Sequence, residues 1–254
     1  MPAIAPKNIW KVTRKTTAGY RGFVLALLAA AMLNISGCGI LFHEPPPNSD
    51  DLLMQDGIEA FNDGSYKDAI EVFQKVKDRF PFSPHVILAE QKIADAHYLR
   101  QEYPEAVYAY EDFEKLHPRN PIIPYINFQI GMCYFEQMAA IDQDQEYTRK
   151  AAAEFDRLIK THPDSVYAIR AENKLNECLK RLSQYEMYVG RLYFRQKHYA
   201  AAKARFQGVV YNFPDQGEYR EALTYIARCD AELQTKSEVP SVQGGTSGGS
   251  IPSE

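Results

Sequence analysis

Small and aromatic residues recur at fixed spacing through the middle of the chain. Four alanines are each followed four residues later by an aromatic residue and twelve residues later by a proline. The four sets are Ala69, Phe73 and Pro81; Ala106, Tyr110 and Pro118; Ala151, Phe155 and Pro163; and Ala202, Phe206 and Pro214. Residues four apart share one face of a helix. Each set therefore predicts a helix that ends near its proline.

A further small residue lies upstream of each alanine. Gly57, Ala94 and Gly190 precede their alanines by twelve positions, whereas Gly131 precedes Ala151 by twenty. The extra eight residues fall in the polar stretch 140–147, which predicts a lengthened loop. Small residues on both helices of a pair allow the two backbones to approach closely. The aromatic residue is then expected to fill the space toward the next pair.

The four units resemble the tetratricopeptide (TPR) repeat, although the first two are spaced by 37 residues instead of 34. No window alternates at a period of two, so almost no strand is expected. The pattern predicts an all-α, TPR-type solenoid of about five helical pairs over residues 50–235. Residues 166–196 predict either one long helix or a tight pair, and a last helix is expected over about 218–233.

The N-terminal region has the pattern of a targeting segment. Residues 1–37 carry five basic residues and no acid, and an apolar run occupies 23–33. This run is shorter than the 20 or so residues that span a bilayer and is typical of a secretory signal peptide. The sequence I-S-G-C at 35–38 resembles the bacterial lipobox, which implies a lipidated Cys38 at the start of the mature chain. The alternative is an ordinary thiol after a standard cleavage site.

The sequence also predicts the membrane that the lipoprotein reaches and the character of the segments on either side of the solenoid. Position 39 is Gly and not the Asp that marks inner-membrane retention, which indicates the outer membrane. Three consecutive prolines within 38–49 favour an extended tether. Residues 236–254 are rich in Gly and Ser and lack the apolar content that folding requires, so a disordered tail is expected there.

Charge excludes one class of partner. The formal net charge is −4, and removing the five basic residues of 1–37 leaves 24 basic against 33 acidic residues, or −9. Affinity for nucleic acid comes mainly from Lys and Arg that neutralise phosphates. We therefore expect no nucleic-acid partner.

The first helix of each pair lines the concave surface of such a solenoid. The predicted groove residues are Phe61, Asn62, Gln91, Asp95, Tyr98, Phe128, Phe135 and Glu136. This set is aromatic and weakly acidic and contains no Lys/Arg cluster. It fits an extended or helical segment with aromatic side chains better than an acidic peptide tail. The alternative is that several of these aromatic side chains fill the core between repeats.

No motif for catalysis is present. The sequence lacks H-E-x-x-H, G-x-S-x-G and Walker patterns. His117 and His162 each precede a helix-ending proline and are interpreted as cap residues. Cys133, Cys178 and Cys229 are odd in number and suit neither zinc nor a redox pair, so buried reduced thiols are expected, with one disulfide as the alternative. No enzyme activity, metal or cofactor is predicted.

Several segments together are similar to one family. They are R-F-P-F-S-P at 79–84, L-H-P-R-N-P at 116–121, Y-E-M-Y at 185–188, R-F-Q-G at 205–208 and Y-N-F-P-D at 211–215. With the lipobox, they resemble the BamD (ComL) family of TPR lipoproteins, which belong to the β-barrel assembly (BAM) machine of the Gram-negative outer membrane. The similarity covers about residues 35–235.

The resemblance implies a function. Family members lie on the periplasmic face of the outer membrane, bind the periplasmic domains of the barrel subunit BamA, join other BAM lipoproteins and recruit unfolded outer-membrane proteins. Arg205 matches a family arginine whose implied role is a charge-assisted contact with a BamA carboxylate; the alternative is a solvated surface arginine. Competing hypotheses are a TPR lipoprotein for pilus or secretin assembly, and a cell-wall enzyme with paired carboxylates about 5–10 Å apart.

Overall fold

A computed structural model describes residues 49–238 of the 254-residue chain, with side chains up to Lys236. This part of the chain forms nine α-helices and no strand. The helices are α1 (Asp50–Asn62), α2 (Tyr66–Arg79), α3 (Val86–Leu99), α4 (Tyr103–Leu116), α5 (Ile123–Phe135), α6 (Glu146–Thr161), α7 (Val166–Arg195), α8 (Tyr199–Asn212) and α9 (Tyr219–Glu238). The predicted signal peptide 1–37, Cys38, the tether before residue 49 and the tail beyond 238 lie outside the described residues.

Each helix packs on the next one along the chain, and α5 also contacts α7. The pairs α1–α2, α3–α4 and α5–α6 follow the spacing found in the sequence, and the second half of α7 pairs with α8. Four clusters of buried apolar residues form the core, one centred on each pair. The prediction of an all-α, TPR-type solenoid is confirmed.

The small residue on the first helix of a pair lies against the aromatic ring of the second helix. A Cβ atom on Gly131 would lie 2.5 Å from Cε1 of Phe155, and one on Gly190 would lie 2.6 Å from Cε1 of Phe206. The ring therefore packs within its own pair, and not only toward the next pair as the sequence suggested. Phe206 does both, since its ring also stacks on Tyr225 of α9 at 4.7 Å.

The second helices end in the same way. The residues before the four repeat prolines all leave the helical conformation, with φ from −127° to −138° and ψ from 49° to 58°. A residue that precedes proline is disfavoured in the helical region, because the proline ring crowds its backbone. These cap residues are Phe80, His117, His162 and Phe213. His117 and His162 occupy the C-cap position as predicted, and there their backbone N–H groups donate to the carbonyl oxygens of Phe113 and Leu158.

The turn within a pair has a residue of positive φ five positions before the repeat alanine. Gly64 (φ 78°), Gln101 (φ 63°) and Lys197 (φ 61°) occupy this place in three pairs. The third pair departs, because its turn is the loop 136–145. Gln145 is fully buried there and donates to the carbonyl oxygens of Ala140 (2.8 Å) and Gln143 (3.1 Å). A lengthened loop was predicted for 140–147, but helix α6 already begins at Glu146.

Helix α7 is a single helix of 30 residues. Its first turn is capped by Ser165, whose hydroxyl accepts a hydrogen bond from the Tyr167 backbone N–H at 3.1 Å. The first half packs on α6 and the second half on α8. This settles the open alternative for 166–196 in favour of one long helix, whose first half has no separate second helix of its own.

The last helix is longer than predicted. Helix α9 runs to Glu238, five residues beyond the expected end at 233. Residues 236–238, which composition assigned to the disordered tail, are therefore helical.

Candidate partner-binding surfaces

Side chains on the first helices meet one another across neighbouring pairs. The contacts link α1 to α3, α3 to α5 and α5 to α7. We call this surface the first-helix face and define it by Phe61, Lys92, Asp95, Tyr98, Tyr125, Phe128, Phe135, Tyr167 and Lys174. It includes five of the eight predicted groove residues.

Asp95 is a structural centre of this face and not a free groove carboxylate. Only 6% of it is exposed. It accepts hydrogen bonds from the hydroxyls of Tyr110 (2.7 Å) and Tyr125 (2.6 Å), and Lys92 Nζ lies 3.5 Å away. Gln91 also donates to it at 3.4 Å. Burial and then the charge of Asp95 raise the pKa of both tyrosines above the ordinary value, so they remain neutral donors that lock α3, α4 and α5 together.

The predicted groove phenylalanines are half-buried between helices. Phe61 packs edge-on to Tyr66 at 5.4 Å. Phe128 and Phe135 lie 5.8 and 6.3 Å from the ring of Phe155. Each ring therefore fills space between helices and offers only part of its surface, which agrees with the core-filling alternative more than with an open aromatic groove.

The remaining candidates lie at the rim. Asn62 and Glu136 are exposed, and Gln91 is half-buried. Tyr98 is half-buried and packs edge-on to Tyr103 at 5.8 Å. Burial, followed by the charge of Glu136, raises the pKa of Tyr98 to about 12. Its hydroxyl is thus a neutral group at the edge of the face.

Cations cover several aromatic rings of the face, which the sequence analysis missed. Lys92 Nζ lies 4.5 Å from the centre of the Phe61 ring, and Lys174 Nζ lies 4.1 Å from that of Phe135. Such cation–π pairs form when the cation lies within about 6 Å of the ring. The sequence analysis expected no Lys/Arg cluster in the groove, and the two lysines lie over separate rings, each brought there from a neighbouring helix by the fold.

Arg205 lies at the junction of α7 and α8. Its Nη1 donates to both carboxylate oxygens of Glu186, at 3.2 Å each. The Arg205 side chain is 40% exposed and that of Glu186 is 23% exposed. Arg205 therefore already has a carboxylate partner in its own chain, and its guanidinium has further N–H donors for a second one.

A cleft of about 560 Å³ lies beside the middle of α7. It is lined by Ile141, Asp142, Gln184, Met187, Tyr188, Arg191, Glu218 and Glu221. Two contacts hold its walls: Ser183 Oγ donates to Glu218 at 3.0 Å, and Arg191 Nη1 donates to Glu221 at 2.9 Å. The cleft thus brings together the loop after α5, the middle of α7 and the start of α9.

The side chains suited to chemistry have structural roles. Cys133, Cys178 and Cys229 are free and buried, so the disulfide alternative is wrong for this state. Burial raises the pKa of the Cys133 and Cys178 thiols to about 12. His117 Nε2 contacts the Glu90 carboxylate at 2.6 Å.

Residues 49–236 contain no group of three or more His, Cys, Asp or Glu side chains placed to hold a metal ion. None of the nine described helices is both long and apolar enough to cross a membrane.

Comparison with known proteins identifies the family. The sequence model of the family described as "YfiO: Outer membrane lipoprotein" matches residues 47–242, which include all nine helices. A relative from Caulobacter vibrioides, named outer membrane protein assembly factor BamD, is 28% identical over 207 residues, covering 79% of this chain and 66% of that protein. A protein of the same name from Rickettsia prowazekii is 30% identical over 171 residues, covering 67% and 68%.

The chain thus spans about two thirds of the length of these relatives. Among solved structures, the TPR2AB domain of yeast Sti1 in complex with pHSP90 matches with a TM-score of 0.41 at 16% identity, over 74% of this chain and 72% of that one. The relatives are named as assembly factors, which agrees with the prediction that the chain is not an enzyme. The chain belongs to the BamD (YfiO) family of outer-membrane lipoproteins, whose curated members are outer membrane protein assembly factors.

Proposed function

We propose that this protein is a lipoprotein scaffold of the BAM complex that binds BamA and recruits unfolded outer-membrane proteins. The observation that carries the proposal is the family match over residues 47–242, which spans the entire described solenoid. Two surfaces, one on the first helices and one at the α7–α8 junction, offer separate places for the two kinds of partner.

The anchor is part of the proposal. A diacylglycerol on the Cys38 thiol and a further acyl chain on its amine hold the protein on the periplasmic face of the outer membrane. Multiple acyl chains are needed because a single one gives only marginal binding. Mass measurement of the purified chain tests this directly, and an unmodified Cys38 would remove the anchor from the proposal.

The α7–α8 junction is the proposed site for BamA. Arg205 is partly exposed and is held by Glu186, so its guanidinium has a fixed direction before a partner arrives. A charge-assisted, bidentate contact with a carboxylate depends on such orientation. The cleft between α7 and α9 supplies apolar contact through Ile141 and Tyr188, which are half-buried.

The first-helix face is the proposed site for substrates. The resemblance to the family implies substrates whose carboxy-terminal strand is rich in aromatic residues. On this face, Lys92 and Lys174 lie over phenylalanine rings. Ammonium groups beside apolar rings suit a peptide that ends in an aromatic residue and a free carboxylate.

The first experiment isolates the tagged full chain from detergent-solubilised outer membranes and identifies the bound proteins by mass spectrometry. We expect a large β-barrel protein with periplasmic repeat domains, together with other lipoproteins. Recovery of a secretin in its place would move the function to pilus or secretin assembly and overturn the proposal.

Substitutions at two positions then separate contact from positioning at the junction. Arg205→Ala should abolish recovery of the barrel protein, whereas Arg205→Lys should reduce it, because an ammonium group lacks the bidentate fork. Glu186→Gln is the matched control, since it weakens the internal pair but leaves the guanidinium in place. Equal losses in Arg205→Ala and Glu186→Gln would show that Arg205 acts through the packing of α7 on α8.

Substrate recognition is tested with peptides that copy the last strand of an outer-membrane protein. We expect the free acid to bind more tightly than its carboxy-terminal amide, and Lys174→Gln to remove that difference. The matched control is Lys160→Gln, which removes an exposed, carboxylate-paired cation from the second helix α6. Identical affinities for acid and amide in the unaltered chain would exclude the proposed role of the face.

A further inference from the structure

The loops that connect one pair to the next lie along one edge of the first three pairs. These loops are 80–85, 117–122 and 162–165, and the start of α1 lies beside the first of them. His85 Nε2 contacts Asp51 at 2.7 Å, which places the first turn of α1 against loop 80–85. His117 contacts Glu90 at 2.6 Å, which links the second loop to the start of α3. We call this the loop edge.

Exposed apolar side chains concentrate on the loop edge. Between residues 49 and 182, nine large hydrophobic residues are exposed. Six of the nine lie on the loop edge, either in its loops or within four residues of a helix end that meets one of these loops. They are Phe82 (99% exposed), Ile87, Leu88, Leu116, Val166 and Ile169. Single exposed apolar residues are common on protein surfaces, but a group on one edge marks an interaction site.

Phe82 is the most prominent of these residues. It lies in the R-F-P-F-S-P segment, between Pro81 and Pro84, where the Ser83 N–H donates to the Phe80 carbonyl at 2.9 Å and closes a turn. This turn directs the entire Phe82 ring into solvent, while the neighbouring Phe80 packs against the core of the first pair. Neither the first-helix face nor the α7–α8 junction uses Phe82.

The chain that leads to the anchor joins the fold at the same edge. Ser49 caps α1, and its hydroxyl accepts a hydrogen bond from the Leu52 N–H at 3.2 Å. Eleven residue steps separate Ser49 from Cys38, and such a segment spans at most about 40 Å when fully extended. Lipid on Cys38 would therefore keep the loop edge, where this segment joins the fold, within about 40 Å of the bilayer.

We infer that the loop edge is a lipid-contacting surface, with Phe82 inserted into the bilayer interface when the anchor is in the membrane. The inference rests on the proposed lipid anchor. Phenylalanine and leucine side chains insert at the boundary between headgroups and acyl chains. Exposed charges of both signs lie nearby, such as Arg79, Arg119, Asp78 and Asp164. The contact therefore depends on apolar insertion and not on the net charge of the lipid.

A single-tryptophan experiment tests this inference. Trp10 is the only tryptophan of the sequence and lies in the predicted signal peptide, so the chain with Trp10→Phe and Phe82→Trp carries one fluorophore whether or not that segment is removed. The matched control is Tyr108→Trp in the same background, because Tyr108 is 71% exposed but lies eight residues before the end of α4 that meets the loop edge. Both proteins are reconstituted into phosphatidylcholine vesicles with plain or brominated acyl chains.

We expect bromination to lower the emission of the tryptophan at position 82 by about twofold or more, while the emission at position 108 changes little. Equal quenching at the two positions, or none at position 82, would overturn the inference. A blue shift at position 82 without bromine quenching would also overturn it. Dependence of that shift on chain concentration would then indicate a second copy, and dependence on added outer-membrane proteins a protein partner.

The outcome is separable from that of the proposed function. Mass measurement of the same samples reports whether Cys38 carries lipid. Lipidated protein without quenching at position 82 removes the loop-edge inference alone. Quenching at position 82 in protein without lipid supports the loop edge and removes the anchor. Because Phe82 is fully exposed, its substitution leaves the core unchanged, and thermal unfolding by circular dichroism checks this.

Discussion

Gly57 on α1 lies directly against the ring of Phe73 on α2: a Cβ atom on Gly57 would lie 2.5 Å from Cε1 and 2.7 Å from Cδ1 of that ring. Phe73 is fully buried, so its ring has no room to move away. The same relationship recurs at Gly131 and Gly190, which makes it the unit of packing in this fold.

Gly57→Ala should therefore destabilise the protein. Alanine favours a helix by up to about 1 kcal/mol over glycine, but overpacking a filled core costs about 1–3 kcal/mol. We expect a net loss of about 1 kcal/mol in the free energy of unfolding, measured by urea titration. The matched control is Gly208→Ala on α8, where the nearest atom lies 4.0 Å from the added Cβ; this change should stabilise. Stabilisation by both changes would contradict the packing argument.

Gln101→Gly is expected to stabilise the protein. Gln101 has φ 63° at the turn position that Gly64 occupies in the first pair. The left-handed conformation costs a non-glycine residue about 1–2 kcal/mol, and glycine avoids this cost. Glycine also makes the unfolded chain more flexible, which offsets part of the gain. The net gain should be about 0.5–1 kcal/mol by urea titration. Gly64→Ala should change stability in the opposite direction, and a gain there would refute the equivalence of the two turns.

Asp95→Asn should weaken the fold even though the two side chains have almost the same shape. The substitution removes a charged acceptor from the hydroxyls of Tyr110 and Tyr125, inside a buried site. Hydrogen bonds to charged groups contribute about 1.5–3 kcal/mol, and we expect a loss of this size.

A double-mutant cycle isolates the contact with Tyr125. The loss in Asp95→Asn combined with Tyr125→Phe should be smaller than the sum of the two separate losses. Asp56→Asn, at an exposed position on α1, is the control and should have little effect. Strictly additive losses would mean that Asp95 and Tyr125 do not act together.

Alkaline pH should destabilise the protein in part through Tyr98. Its pKa is raised from 10.0 to about 12 in the fold, mainly by burial. Because the pKa of Tyr98 is higher in the folded state, this residue contributes its full stabilisation below pH 10. That contribution is lost as the pH rises through about 12. In urea titrations between these values, Tyr98→Phe should lose less stability than the unaltered chain. Tyr108→Phe, which removes an exposed hydroxyl, serves as the control, and an equal benefit from it would argue against burial as the cause.

The cysteine thiols should be unreactive in the native protein. Cys133 and Cys178 are fully buried, and both have a pKa near 12, so almost no thiolate is present at neutral pH. Since the thiolate is the nucleophile, iodoacetamide should modify neither residue at pH 7.5 until urea unfolds the chain. Peptide mass mapping measures this. A disulfide found between any of the three described cysteines would contradict the free, buried state.

Several features follow from local sequence alone. The offsets of Gly57, Ala69 and Phe73 predict the helical pair, because close packing of two helices requires small residues at repeating positions. The prolines predict where second helices end, since a proline restricts the residue before it. Family membership is likewise predictable, because short segments such as R-F-P-F-S-P keep their order along the chain.

Other features depend on tertiary contacts. Whether residues 166–196 form one helix or two is decided by packing, because both halves carry helical patterns and only the separate contacts with α6 and α8 distinguish them. The role of Asp95 depends on hydroxyls from 15 and 30 residues away, which no local pattern reveals. The ion pair of Arg205 depends on tertiary structure in the same way, since Glu186 reaches Arg205 only when α8 folds back on α7.

The sequence by itself thus determined the helical pairs, their ends and the family, because these depend on spacing within one or two helices. The tertiary structure decided which polar and aromatic side chains are buried, which are paired and which remain exposed. Burial and pairing depend on distances between helices that are remote in sequence. Phe80 and Phe82 illustrate the difference: two residues apart in one motif, one packs against the core and the other is fully exposed.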